Sequence, residues 1–261
     1  MTTTNVGTKC AISMLVTSAI FSNSRSCARS RARTGRSASH GTAPEEDGRQ
    51  DGRHLEWRDE AAWRLLDEEL HAGLARLPER SVAALEQAAI WPRGTPFHRE
   101  PMPPRVERSA WGTRKRSILD GADIIFLDPD NDIGGETEKH ATFSEIRQLR
   151  KPERAVAFIT FPGRSTTHDA FLQRLHERLM VETDAGNAIT LRTNVSLPRT
   201  AGSRFYVQRQ RWFTVVDPDD ELTARAQAFA TALTSVPRVR ARLDGAGSRA
   251  SGPGGFGQSP A

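Results

Sequence analysis

Residues 122–131 read Ala-Asp-Ile-Ile-Phe-Leu-Asp-Pro-Asp-Asn, and the reading of this stretch decides the fold class. Asp123 to Leu127 is a short β-rich run whose apolar residues are continuous, and it ends in an acidic turn. A strand with one wet face alternates polar and apolar residues, so unbroken apolarity predicts a strand covered on both faces. Ala155 to Phe161 (Ala-Val-Ala-Phe-Ile-Thr-Phe) has the same character. Between the two, Thr142-Phe143-Ser144-Glu145 has capping-box spacing and predicts a helix ending near Arg150, ahead of Pro152. Thr166 to Met180 places Phe171, Leu172, Leu175 and Leu179 on one side of a second helix, with His168-Asp169 and His176-Glu177 on its solvated face. A strand, helix, strand, helix order predicts parallel strands joined by right-handed crossovers.

Working outward, Trp63, Leu66, Leu70, Leu74 and Leu77 predict one amphipathic helix over Trp57 to Leu77. Ser81 to Ile90 reads as a short strand or a helical turn. Trp91 to Pro104 holds five prolines and reads as an irregular connection. Downstream, Ala188 to Leu197 and Phe205 to Val216 are two longer strands that a hairpin joins most simply, and Glu221 to Leu233 is a closing helix before Pro237. The expectation is one α/β domain over residues 45–243, its sheet mostly parallel with a C-terminal antiparallel hairpin. Residues 1–44 read as a disordered or non-conforming leader, and the Gly/Ser/Pro-rich 244–261 as a disordered tail.

Composition narrows the function classes. The longest apolar stretch, Ala11 to Phe21, is broken by Ser13, Thr17 and Ser18 and is too short for a bilayer, so a soluble, cytoplasmic protein without a membrane partner is expected. Net charge is +5, but residues 1–50 hold seven Lys and Arg against three acids, which leaves the remainder near neutral. Overall basicity therefore says little about a polyanionic partner. The two cysteines are Cys10 and Cys27, so the domain has no thiol for a disulfide, a zinc ligand or a nucleophile. Residues 1–44 have no acid and many Ser, Thr and Arg, a composition shared by transit peptides and by unselected reading frames.

In an open parallel sheet, ligands gather beyond the carboxyl ends of the strands. Asp128, Asp130 and Asp132 crowd there with Asn131, followed by Gly134-Gly135, Lys139 and His140. Crowded carboxylates raise one another's pKa, and Lys139 offsets their repulsion. A solvated acidic turn is the plainer reading. Arg164, just past Pro162-Gly163 at the next strand's end, is placed to clamp an anion. Arg114-Lys115-Arg116 and Tyr206 to Trp212 interleave basic and aromatic residues as nucleic-acid contacts do, and equally as a half-exposed strand does. Nucleic acid is therefore only a weakly supported partner.

The run Ala122 to Asn131, followed by Lys139 and Glu145, resembles a family of uncharacterised bacterial proteins with an Asp-Pro-Asp-Asn-Gly core. The likeness spans roughly residues 45–175 and includes Asp51-Gly52-Arg53, Arg108-Ser109-Ala110-Trp111 and Arg164. It implies substrate-binding roles for Arg108, Trp111, Glu145 and Arg164. Asp132 stands where that family has Gly, which predicts a strained turn, and the apolar first strand of the family has no counterpart in residues 1–44. More distantly, Asp128-Pro129 and the hairpin are similar to class I S-adenosylmethionine-dependent methyltransferases, whose fourth strand ends in Asp/Asn-Pro-Pro-aromatic and whose sheet ends with an antiparallel hairpin strand. That similarity implies a Rossmann-like three-layer fold, S-adenosylmethionine as cofactor, and Asp128, Asp130 and Asn131 orienting a polar or nucleic-acid substrate. Asp130 and Asn131 replace the second Pro and the aromatic, and no Gly-x-Gly-x-Gly marks a cofactor loop. Two other readings stay open: a non-catalytic binding module or subunit, and a phosphohydrolase or nuclease in which Asp128 and Asp130 hold Mg²⁺ and Lys139 positions a phosphate.

Overall fold

The computed structural model describes residues 37–41, 57, 61–77, 82–129, 132–135, 140–163, 166–198 and 203–245. Among these, seven strands form one sheet: β1 (Ser37–Gly41), β2 (Phe97–His98), β3 (Ile124–Asp128), β4 (Ala155–Thr160), β5 (Ala188–Pro198), β6 (Tyr206–Val216) and β7 (Val239–Gly245). Their order is β2-β1-β3-β4-β6-β5-β7. The β2-β1, β1-β3 and β3-β4 pairs are parallel, whereas β4-β6, β6-β5 and β5-β7 are antiparallel. The sheet is thus mixed where a mostly parallel one is expected. Following the pairings, β1 to β5 point one way and β6 and β7 the other. The hairpin forms as expected, with Ala188↔Val216 through Pro198↔Tyr206 in register.

Helices cover both faces, which is why β3 and β4 show no polar alternation. Ile125, Leu127, Val156 and Phe158 pack with α5 (Phe143–Leu149), α6 (His168–Thr183) and Leu119, which follows α4 (Arg108–Ile118). The alternate residues Phe126, Ala157 and Ile159 pack on the opposite face with α1 (Ala61–Arg64), α2 (Glu68–Ala75), α3 (Val82–Gln87) and α7 (Asp220–Leu233). At about 25 cal/mol per Å² of apolar surface removed from water, these two-sided strands are the main source of stability.

Several expectations move. The single helix over Trp57 to Leu77 breaks into α1 and α2, because the Asp67 side chain accepts from the Leu70 amide at 2.9 Å and starts a new helix. The ambiguous 81–90 segment resolves as α3. The proline-rich connection contains the two-residue β2. Ser37–Gly41 pairs with β2 and β3, so the supposed leader 1–44 contributes a strand to the middle of the parallel half. At the other end β7 runs to Gly245, two residues into the supposed tail. Its Asp244 is ion-paired to Arg192, which draws the strand's end onto the sheet.

Candidate functional site at the carboxyl edge

Chain direction locates the site. From β1 the chain passes α1 to α3 and reaches β2 on one side; from β2 it returns past α4 to β3 on the other side of β1, and goes on to β4. Neighbouring connections therefore diverge between β1 and β3, the position at which open sheets of this kind bind their ligands. Asp128 is the last residue of β3 and pairs in register with Gly41, the last residue of β1. It is half-buried.

Beyond it the turn folds back. Ile133 bridges Ala141, and the Gly134 amide donates to the Ala141 carbonyl at 2.8 Å. Gly134 has φ +90, and a Cβ there would stand 2.6 Å from the Phe143 ring, so this position requires glycine twice over. Asp132 is not among the positive-φ residues, so the strain expected of it does not arise. Its carboxylate accepts from the Ile133 amide at 2.8 Å, and burial pushes its pKa up to about 6. Asp130, Asn131, Lys139 and Arg164 lie outside the described residues.

Arg108, Trp111 and Glu145 are brought together, and their geometry is that of a clasp. Glu145 closes the expected capping box: its Oε2 accepts from the Thr142 amide at 2.9 Å, and its own amide donates to Thr142 Oγ1 at 3.1 Å. The same carboxylate takes Arg108 Nε at 2.9 Å and stands 3.8 Å from Lys115 Nζ. Arg108 also donates to the His140 carbonyl. Lys115 lies 4.2 Å from the centroid of the Trp111 ring, and His98 packs edge-on against the same ring. Trp111 is 1% exposed and offers no ring face to a ligand. Burial pulls Lys115 down to about 8, with Glu145 opposing. Burial, then Lys115, also lowers His98. One acid on α5 thus holds α4 and the segment carrying His140, with Trp111 buried beneath Lys115.

Sequence reasoning passed over a second polar cluster, between α6 and the hairpin. His176 is buried, with Nε2 2.7 Å from Thr190 Oγ1, which is 2.9 Å from Thr214 Oγ1. Burial lowers its pKa. Arg192, 4% exposed, pairs with Asp169 at 2.7 Å and Asp244 at 2.8 Å beside Trp212. The signal was present: Leu172, Leu175, His176 and Leu179 fall on one helical stripe, so His176 belongs to the buried face rather than the solvated one.

Among the described residues no group of three or more His, Cys, Asp or Glu is placed to hold a metal ion. Among them, too, no helix is long and apolar enough to cross a membrane. No protein-family model matches the chain, and no curated protein matches it.

Proposed function

We propose that this chain is a Rossmann-like relative of class I methyltransferases that binds an adenosyl cofactor beyond the ends of β1 and β3 and presents Asp128 to a polar substrate. The observation that carries the reading is the in-register Gly41↔Asp128 pair, which puts an acid and a side-chain-free strand end together where neighbouring connections diverge. The reversed strand β6, seated between β4 and β5, agrees with the hairpin that such proteins carry.

The residues present fit such a group. Gly41 permits close approach of a ligand to the backbone. Glu100, two residues beyond β2, is the acid placed for a ribose hydroxyl, though Arg114 now holds it with Nε at 2.9 Å and Nη2 at 2.8 Å, a pair that binding must exchange. When bound, S-adenosylmethionine supplies an electrophilic methyl group. Asp128 accepts a hydrogen bond from the substrate's N–H or O–H and so orients its lone pair. The Glu145 clasp holds the return segment, through Arg108 and the His140 carbonyl, beyond the end of β3.

Calorimetric titration of the full chain with S-adenosylmethionine tests the reading. Saturable binding that weakens at least tenfold in Glu100→Ala, with folding intact, supports it; no binding by folded wild type, or equal affinity in the variant, refutes it. The divalent-metal reading gains no support from the described residues. The binding-module reading is favoured by one feature, the cationic hairpin.

A further inference from the structure

The hairpin is far longer than the sheet needs. β4 ends at Thr160, opposite Trp212, so Tyr206 to Arg211 of β6 run on past the carboxyl edge with no β4 residue beside them. At about 3.3 Å per residue these six positions extend about 20 Å. On the other side β7 reaches only as far as Val195. The arm rises from the edge on which Asp128 sits. Carrying the β3–β4 register one step beyond Leu127↔Phe158 sets Asp128 level with Ile159, whose β6 partner is Phe213, next to the base of the arm.

Its charge is one-sided. Residues 188–216 contain five arginines and no Asp or Glu, in a chain that is nearly neutral after residue 50. Arg209 and Arg211 share one face by strand alternation, about 7 Å apart, close to the spacing of successive phosphates. Arg211 is steadied by stacking 4.8 Å from the Phe161 ring centroid at the end of β4. Near the tip Phe205 is 63% exposed, whereas Tyr206 lies by the same alternation on the opposite face, where Arg238 donates to its hydroxyl at 2.8 Å. On that face Asn194 and Gln210 stand directly opposite, each with a buried amide oxygen lacking a hydrogen-bond partner.

We infer that this arm binds single-stranded nucleic acid, with Arg209 and Arg211 on the phosphates and Phe205 under a base, and feeds the strand toward Asp128. Cations at phosphate spacing and an exposed ring on the same strand are the two components of sequence-tolerant single-strand binding. Arg209 and Arg211 interrupt Val195, Leu197 and Val207 on one face of the arm, and Asn194, Ser196, Gln208 and Gln210 line the other, which disfavours insertion into a lipid surface. A single strand fits better than a duplex, because a paired base offers no ring face to Phe205 and keeps its reactive atoms in the stack. The substrate class rests on the methyltransferase-like reading; binding by the arm does not.

The test is fluorescence anisotropy of the full chain with a labelled twelve-residue oligothymidylate at several salt concentrations. Arg209→Ala is expected to weaken binding about fivefold and to lower the salt slope by about 0.7, one phosphate's share for a single strand. Phe205→Ala is expected to weaken it by at least about fivefold with the slope unchanged. The charge-matched control Arg147→Ala, in the last turn of α5 at the opposite edge, is expected to leave binding intact. No binding at low salt by folded wild type, equal loss in Arg147→Ala, or tighter binding of a duplex or of anionic phosphatidylserine vesicles each overturns the inference. Wild type is titrated separately with S-adenosylmethionine. Oligonucleotide binding without cofactor binding sinks the enzymatic reading alone, and the reverse sinks the arm alone.

Discussion

Two ion clusters, one in each half of the sheet, differ in how far they are withdrawn from water. In the parallel half a single acid, Glu145, serves two cations, Arg108 and Lys115, and all three are largely or wholly out of solvent. In the hairpin half the buried Arg192 and the more exposed Arg242 share two acids, of which Asp244 is 13% exposed and Asp169 is 75% exposed. The contrast teaches that charge count is a poor guide to stability. A pair held away from water is costly to break, because the surviving partner is stranded, whereas a pair with one wet member loses little.

Breaking the dry cluster should have the largest effect. Glu145→Ala strands Arg108 and Lys115 and deletes half of the capping box, so urea unfolding should show a loss of about 3–5 kcal/mol. A loss below about 1 kcal/mol would mean that the clasp does not hold the edge together.

The next effect is a pH dependence confined to the dry cluster. Lys115 has a folded pKa of about 8, against an ordinary value near 10.5. Between these values the unfolded chain keeps a proton that the folded chain has released. Stability from this group therefore rises with pH from about 8 to 10.5, on the order of 3 kcal/mol over the window, and is lost as pH falls back through 8. Lys115→Met should flatten that rise in unfolding curves taken at pH 8, 9 and 10. Parallel curves for variant and wild type would remove Lys115 as the cause.

The smallest effect belongs to the wet cluster. Asp169→Asn should cost less than about 1 kcal/mol, because Asp169 is largely solvated and Asp244 continues to hold Arg192. A cost comparable to that of Glu145→Ala would dissolve the contrast between the two clusters.

The parts of the fold legible in the sequence are those whose signal is local. Apolar continuity marks β3 and β4, Thr142 and Glu145 mark the start of α5, and two long β-rich runs mark the hairpin. The missed parts borrow their structure from neighbours. Ser37–Gly41 (Ser-Ala-Ser-His-Gly) has nothing strand-like in composition and is a strand because β2 and β3 flank it. In α4 the stripe position four residues after Trp111 is occupied by Lys115, which hides the helix's buried face from a hydropathy reading. Trp111 and Glu145 are expected from the resemblance to be ligand contacts, and nothing in the sequence signals that Trp111 is buried or that Glu145 pairs with Arg108 and Lys115.

The sequence by itself determined the helix and strand order around residues 123–183, the place of Asp128 at a strand's end, and the existence of a hairpin. Each of these follows from hydrophobic period and short-range capping, which act over a few residues. Only the tertiary structure decided that β1 lies beside β3, that Glu145 is a clasp, that His176 is buried, and that the hairpin overhangs the carboxyl edge. Those outcomes depend on which distant segments share a register and a dielectric environment, and that is a property of the packed chain rather than of any stretch of it.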